Sequence, residues 1–444
     1  MANSYLSRTP GSAGNTKKFT FSAWVKRSKI GADQYILHAY PGSGQRSQIL
    51  FKAADTMQID LEAGNTNKLV TTRVFRDTSS FYHIVVVYDS DNATSGDRVI
   101  LYVNGVRETE FGTEQYPNAG STSQINTTTQ HEISTYDGSS GFFEGYMSHV
   151  SLVDGSVVAP TVFGQTDSTT GKWKFKNPTG VTWGTNGFHL KFENSGNLGL
   201  DSSGNSNTWT VNGDLKQALD TPSNVHATMN PLINNGTTTT YSQGNNTVST
   251  SNAHYKVSAS TLAVSTGKWY MEFKAVSGSF GSVDAAVGII QTETAFSTSS
   301  QNLNAYPNGY SYGSHGQVKQ YNNSNIYTGS TYTDGDIIGI ALDMDNNKLY
   351  FRKNDNAWEN SGDPTSGSTG TGAVSITSGK EYYFACSTIN HGGGTKVFSA
   401  NFGNGFFGTT AITSAGLNGN ESLFEYDVPS GYYALNTKNL NTYG

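Results

Sequence analysis

The sequence predicts an all-β protein: two antiparallel β-sandwiches joined by an irregular linker. Three observations point there. Of 444 residues only 14% are charged, 12% are aromatic and 50 are glycine, poor material for helices and good material for strands joined by tight turns. Apolar residues recur with period two in short runs bounded by Gly, Asn and Asp, the mark of half-buried antiparallel strands, and no helical periodicity intervenes. Two hairpin signals stand far apart in the chain: "DRVILYVNGVRE" (97–108), with Asn104-Gly105 after an alternating run, and "GDIIGIALDMDNNKLYFRKNDNAW" (335–358). We expect them to be the central hairpins of two different sandwiches.

The elements of the first half follow in order. "FTFSAWVKR" places Phe19, Phe21, Ala23 and Val25 on one face. "YHIVVVYD" does the same for Ile84, Val86 and Tyr88, and "RVILYVNG" for Val99, Leu101 and Val103. "FFEGYMSHVSLVDGSVVAPTVFG" reads as a further strand and then a short helical turn starting near Pro160. Together "YLSRTPGSAGNTKKFTFSAWVKRS", "FYHIVVVYD", "VILYVNGV", "GFFEGYMSHVSLVDG" and "GFHLKFENS" resemble the strands of a laminin-G-like, concanavalin A-like jelly roll. The resemblance covers about 5–210 and implies a domain over 1–210. Little precedes Tyr5, so it implies a first strand that is short or supplied from elsewhere.

Residues 200–250 have linker composition, with the linker itself read as 211–249, although Trp209 and "TPSNVHATMNPL" imply some packing. "GKWYMEFKAV" then aligns Trp269, Met271, Phe273 and Ala275; Ile338, Ile340, Leu342 and Met344 share a face, as do Leu349 and Phe351. "GKWYMEF", "AVGII", "NGYSYGSHGQ", "GDIIGIALDMDNNKLYFRKND" and "YYFACSTI" resemble, in order and spacing, the core strands of a SPRY (B30.2-type) β-sandwich, implying a second domain over 250–405. The stretch 406–444 shows no helical period, and its apolar anchors in "DVPSGYYALNTKNL" predict a tail packed on that second domain.

Charge and motifs exclude several functions. A net charge of −6 without a basic stripe argues against nucleic acid, which needs clustered Lys and Arg. Cys386 is the only cysteine, so an intrachain disulfide and cysteine metal clusters are excluded; its apolar strand reads as core. No run approaches the roughly 18 apolar residues of a membrane span, and "MANSYLSRTPGSAGNTKK" lacks a signal-like apolar stretch. We therefore expect synthesis in a cytoplasm and no membrane insertion.

Enzymatic chemistry finds little support. Glycan-cleaving enzymes of the concanavalin-like class carry Glu-x-Asp-x-x-Glu on a strand, two carboxylates flanking the sugar. The nearest approach, Glu108, Glu110 and Glu114, has the wrong second gap and reads as a solvated edge. The nine histidines show no metal-ligand spacing, and neither a Gly-x-Ser-x-Gly elbow between strand and helix nor a Gly-Lys-Ser/Thr loop is present. We expect a protein that is not an enzyme. Asp343 and Asp345 at their hairpin mouth read as turn caps. Asp89, Asp91 and Asp97 in "YDSDNATSGD" could supply oxygens to Ca²⁺, a metal that concanavalin-type folds often hold in loops, but read first as a solvated turn.

Recognition remains. "YPNGYSYGSHGQVKQYNNSNIYTGSTY" (306–332) interleaves tyrosines with Asn, Ser and Gly, the palette of recognition loops. The candidate ligand-binding residues are Tyr306, Tyr310, His315, Tyr321, Asn322 and, in the following loop, Trp358. The competing reading is that Tyr310 and Tyr312 belong to a SPRY strand. The succession of laminin-G-like sandwich, "TPSN-ATMNPL" connector, SPRY sandwich and "P-GY-ALNT-NL" ending resembles virion surface or fibre proteins of tailed bacteriophages, particularly marine ones. That resemblance implies a virion protein released by lysis, homo-oligomeric in the particle, touching other virion proteins and a host-surface glycan or envelope component. A capsid or tail decoration protein is the alternative it leaves open.

Overall fold

The computed structural model describes residues 3–444 except 43, 65, 235–237, 252, 281–284, 297–300 and 391–393. The chain divides into two compact units, 1–217 with 221–223, and 218–220 with 224–444. Both are built of antiparallel sheets, so the all-β class holds.

In the first unit an eight-stranded sheet runs in the order Phe111–Glu114, Leu69–Thr71, Met57–Asp60, Ser47–Phe51, Gln34–Ala39, His131–Ile133, Tyr5–Arg8 and Thr210–Asn212. A six-stranded sheet runs Phe188–Leu190, Gly145–Asp154, Lys18–Arg27, Tyr82–Asp89, Val99–Val103 and Val106–Arg107. The alternating residues do what period two requires. Phe19, Phe21, Ala23, Val25, Ile84, Val86, Tyr88, Val99, Leu101 and Val103 all enter one core, which also takes Leu37, Ile49, Ile59 and Ile133 from the larger sheet. The first strand is short, four residues, but forms an integral part of its sheet.

Asn104 and Gly105 make a two-residue hairpin with φ of +50° and +79°, the left-handed pair that matches strand twist. Contrary to expectation this hairpin is not central: Val106–Arg107 is a two-residue edge strand, exposed at both positions. Polar Arg107, Thr109 and Glu110 give that strand no apolar face on which to continue. A single 3₁₀ turn, Pro160–Val162, leads into a hairpin of Gly164–Thr166 and Trp173–Phe175.

The second unit has one sheet ordered Met229–Asn234, Lys256–Val264, Tyr382–Thr388, Ala286–Gln291, Tyr310–Gly313, Gln317–Gln320 and Ser324–Thr328. The other runs Thr239–Ser242, Thr247–Thr250, Val397–Asn401, Lys268–Ser277, Ile337–Asp343, Lys348–Lys353 and Val374–Ser375. Trp269, Met271, Phe273, Ala275, Ile338, Ile340, Leu342, Leu349 and Phe351 share its core with Cys386, whose thiol burial pushes well above its ordinary range. Asp343 caps the hairpin turn, accepting from Asn346 N at 3.0 Å and pairing with Lys268 at 3.0 Å; Asp345 accepts from Gly267 N at 2.7 Å.

Two segments differ from their sequence reading. The stretch 211–249, read as irregular, supplies Met229–Asn234 and the hairpin Thr239–Ser242/Thr247–Thr250 to the second unit, with 235–237 outside the described residues. Its Thr- and Asn-rich strands have weak intrinsic patterns and are fixed by the partners they pair with. The tail ends in a helix, Thr437–Tyr443, which Asn436 caps by accepting from Asn439 N at 2.9 Å. Seven residues are too few to show a period. Upstream, buried Glu272 accepts from Glu425 N (2.9 Å), Tyr426 N (3.0 Å) and the Tyr270 hydroxyl (3.1 Å), tying the segment before that helix to the sheet. Burial pushes the Glu272 carboxyl up to about 7.

Candidate functional site

On the eight-stranded sheet, successive residues point to opposite faces. Ile59, Ile49, Leu37, Ile133 and Leu6 lie opposite one another across five strands and face the core. The adjacent residues therefore form a second row on the outer face: Asp60 opposite Gln48, Gln48 opposite His38, His38 opposite Glu132, and Glu132 opposite Ser7. A polar row is unremarkable on a solvated sheet, but this one is buried. His38 is 1% exposed, Gln48 2%, Asp60 3% and Glu132 5%.

The row is internally bonded. Gln48 Nε2 donates to Asp60 Oδ2 at 3.2 Å, and Arg46 Nε lies 3.6 Å from the same oxygen. His38 Nδ1 stands 3.4 Å from Glu132 Oε2, while Gln130 Nε2 donates to Glu132 Oε1 at 3.1 Å. Three atoms have no partner among the described residues: His38 Nε2, Gln48 Oε1 and Asp60 Oδ1. Buried polar groups are nearly always bonded, and each exception has a price in stability. Burial pushes the Asp60 carboxyl up to about 6 despite Arg46 and Lys68, so the ionised form is held at some strain.

Above the row sit half-buried tyrosines. The ring of Tyr136 is centred 4.7 Å from that of His38, Tyr35 at 5.6 Å and Tyr40 at 6.0 Å. Tyr35 lies on the strand of His38 and Tyr40 just past its end, and Tyr136 follows the Glu132 strand. Burial and nearby Asp33 raise the Tyr35 hydroxyl to about 12. The result is a cluster of half-exposed rings over a buried polar row, three of whose atoms lack a partner among the described residues and are shut off from solvent.

The floor is a poor hydrolytic site. Asp60 and Glu132 are three strands apart, and steps of roughly 4.8 Å put their backbones roughly 14 Å apart. Paired glycosidase carboxyls stand roughly 5–9.5 Å apart, and Gln48 and His38 fill the interval.

The residues singled out in sequence fall elsewhere. Tyr306 is a core residue, 3% exposed, packed with Val257, Ile290 and Leu303. Tyr310 is 5% exposed, its hydroxyl accepting from Thr377 N at 3.0 Å. Neither offers a ring to a ligand, because both point inward from the regular structure they belong to. His315 is exposed in the turn before Gln317–Gln320. Tyr321 and Asn322 are exposed beside the edge strand Ser324–Thr328, Asn322 with φ +62°. Trp358 is half-buried against Tyr270 and Tyr350, with the Arg352 guanidinium 5.0 Å from its ring. That is a packing role.

Asp89 pairs with Lys18 (3.1 Å), Asp91 with Lys17 (3.6 Å) and Asp97 with Arg107 (2.7 Å). Among the described residues no group of three or more His, Cys, Asp or Glu converges as metal ligands do. Glu108 is buried against Arg73, while Glu110 and Glu114 are exposed and Tyr116 donates to Glu114 at 2.8 Å. Sequence reading passed over the actual row because its members sit in "QYILHA", "SQILF", "MQID" and "HEI". The available signal was a buriable polar residue at alternate positions in each; only the register aligns them.

Fold and site together define an all-β, two-sandwich protein whose first unit presents an aromatic face over a polar floor. A family model described as the concanavalin A-like lectin/glucanases superfamily matches residues 2–163. The SPRY domain of human HERC1 is 15% identical, covering 39% of this chain and 96% of that one, with a TM-score of 0.31. A second human SPRY domain is 16% identical, covering 37% and 94%, with a TM-score of 0.27. A candidate carbohydrate-binding protein of Bacteroides ovatus is 16% identical, covering 50% and 59%, with a TM-score of 0.34. No curated protein sequence matches the chain.

Proposed function

We propose that the protein is a non-enzymatic carbohydrate-binding component of a tailed-phage virion, and that the outer face of the eight-stranded sheet is its glycan surface. One observation carries the reading: the half-exposed rings of Tyr35, Tyr40 and Tyr136 gather round buried His38 on the outer face of the sheet. Half-exposed rings of this kind suit sugars. Their C–H faces pack on aromatic rings, and their hydroxyls demand partners in place of water. The wide separation of Asp60 and Glu132 supports binding over cleavage. The family match over 2–163 is compatible with this reading.

The virion assignment rests on the order of laminin-G-like and SPRY-like segments read in the sequence, and on a surface rich in amides and poor in charge, suited to salty surroundings where screening weakens charged contacts. Many copies on a particle would turn weak single contacts into avidity. Among the described residues no helix is long and apolar enough to cross a membrane.

The test is a glycan array and host-cell binding assay with the full chain. Tyr40→Ala and Tyr136→Ala are expected to weaken binding about tenfold, loss of a ring being worth about 1–1.5 kcal/mol, with the fold intact. New reducing ends from host polysaccharide would overturn the non-enzymatic reading. Failure to bind glycan or cells, with tight binding to purified capsids or tails, would replace adhesion by decoration. Immunogold labelling of intact particles tests the virion assignment itself.

A further inference from the structure

We propose a second binding site in the first unit, apart from the tyrosine face: a cleft between the Asn104-Gly105 turn and the hairpin Gly164–Thr166/Trp173–Phe175 that takes a small carboxylate carried on an apolar body. Phe81, Asn104, Val106, Thr166, Lys172 and Trp173 line it, and its volume is about 430 Å³, within the range of small-ligand sites. The inference goes beyond the glycan reading and does not rest on it.

The walls are fixed before any ligand arrives. Trp173 Nε1 donates to His83 Nδ1 at 2.9 Å, and a Cβ on either Gly105 or Gly164 would collide with the indole, so both glycines let the backbone close on it. Asn104 sits in the left-handed region at φ +50°, and its Oδ1 accepts from His83 N at 2.8 Å, which sets the direction of its amide nitrogen. The turn carrying Lys172 is closed by Asp167 N donating to Lys172 O at 2.7 Å and by Gly171 N donating to Asp167 O at 2.9 Å. Asp167 Oδ1 also accepts from Thr169 N and Thr170 N, at 2.9 and 2.8 Å. A site ordered in advance loses little freedom when it binds.

Its polar chemistry is of one sense. Lys172 Nζ, Asn104 Nδ2 and Thr166 Oγ1 have no partner among the described residues, and all three residues are exposed, so a ligand can reach them. The ammonium and the amide nitrogen only donate, and the hydroxyl can. The nearby acids are already engaged, Asp97 by Arg107, Glu108 by Arg73 and Asp167 by Lys174. Behind Phe81, buried Lys26 adds a second positive charge 5.9 Å from the ring. Beside these donors stand apolar walls: Val106 is 66% exposed on its edge strand, next to half-buried Trp173 and the Phe81 ring. A carboxylate answers the donors with two acceptor oxygens and a charge opposite to that of Lys172, while an apolar body covers Val106 and the rings. An amine would meet only donors. A neutral body would desolvate them without giving a partner in return.

The experiment is saturation-transfer NMR and calorimetric titration of the full chain with benzoate and phenylacetate, with benzamide as the uncharged body and acetate as the charge without a body. At least one of the two aromatic carboxylates is expected to bind, with benzamide and acetate at least about tenfold weaker. Raising the salt concentration is expected to weaken the carboxylate. Lys172→Gln is expected to lower its affinity about tenfold, and Thr166→Val and Val106→Ser about threefold each. All three side chains are exposed, so the melting temperature is expected to stay where it is, as is glycan binding by the tyrosine face.

No binding of either aromatic carboxylate up to about 10 mM would overturn the inference. Benzamide binding as well as benzoate would overturn the anionic half of it, and acetate binding as well would overturn the apolar half. Carboxylate binding unmoved by Lys172→Gln and by Val106→Ser, in proteins that melt normally, would overturn the cleft as its place.

Discussion

The two outer faces of the first sandwich can be set side by side. Both carry a histidine between aromatic rings, and they differ in what covers it. On the six-stranded sheet, His83 stacks on Trp24 at 4.4 Å and is roofed by Trp173 from the hairpin Gly164–Thr166/Trp173–Phe175. Trp173 Nε1 donates to His83 Nδ1 at 2.9 Å, which leaves the His83 hydrogen on Nε2, facing Ser22 Oγ at 2.9 Å. Next to it Phe175 stacks on His149 at 3.7 Å, and His149 Nδ1 lies 3.2 Å from His189 Nε2. The chain has supplied its own ligand for this face.

On the eight-stranded sheet the rings around His38 come from Tyr35 and Tyr40 beside it and from the turn closed by the Tyr136–Ser140 bridge, and they are half-exposed. Unpaired atoms alone do not separate the faces, since Trp24 Nε1 and Ser151 Oγ are also unpaired beneath the hairpin. What separates them is the source of the covering rings. Sealed orphan atoms are a cost of folding on both faces, but on the smaller sheet the chain adds a separate hairpin as the cover, and on the larger one it does not.

The largest expected effect lies on the covered face and comes from acid. Burial depresses His83 to about 3, His149 to about 3 and His189 to about 4. The unfolded chain, with ordinary histidines, binds protons more readily below about 6.5. The contribution of neutral burial is thus complete above about pH 6.5 and is lost as pH falls towards 3. For fully buried His83 alone the loss by pH 4 is about 3 kcal/mol. Urea titrations of the first unit's transition between pH 7 and 4 should show this decline. An unchanged midpoint would mean that the hairpin does not seal the face.

Trp173→Ala should come next, lowering stability by about 2–3 kcal/mol through the lost ring and its bond to His83, with glycan affinity unchanged. Loss of glycan binding in a folded Trp173→Ala protein would invert the comparison. The open face answers in the opposite direction. Because Asp60 is held up at about 6, its ionised form opposes folding above about pH 6, and that opposition fades as pH falls towards 3.8. Asp60→Asn should therefore raise stability at pH 7–8, by up to about 3 kcal/mol. A thermal melt that drops instead would make Asp60 a structural anchor.

How far each part could be read in the sequence follows from where its information lies. Strands such as Lys18–Arg27 and Ile337–Asp343 carry their alternation within ten residues or fewer, so their faces were legible. Met229–Asn234 and Thr239–Ser242 were not, because Asn- and Thr-rich runs specify no face and their strand state comes from the partners Lys256–Val264 and Thr247–Thr250. The buried polar row was hidden more deeply. Asp60, Gln48, His38 and Glu132 come from four separated segments, and only register makes them neighbours. Tyr306 and Tyr310 show the converse error: a composition that suits recognition also suits a core, and burial decides.

The smallest expected effect concerns the second unit, where Tyr321 and Asn322 remain candidates from the sequence. Tyr321 is 44% exposed and Ile326, on the adjoining edge strand, 38%. The buried polar residues beside them are already bonded, Asn304 donating to Asn323 and accepting from Ser311, while Gln320, Asn322, Asn323 and Ser324 are exposed. A ligand there would gain ring area but would have to displace solvent from every amide it met, so its net gain per contact is small. Tyr321→Ala should then change glycan affinity by less than about threefold, under 0.7 kcal/mol, while Tyr136→Ala costs about tenfold. If the order of these two variants is reversed in the same binding assay, recognition belongs to the second unit, and the open face of the first is a scaffold.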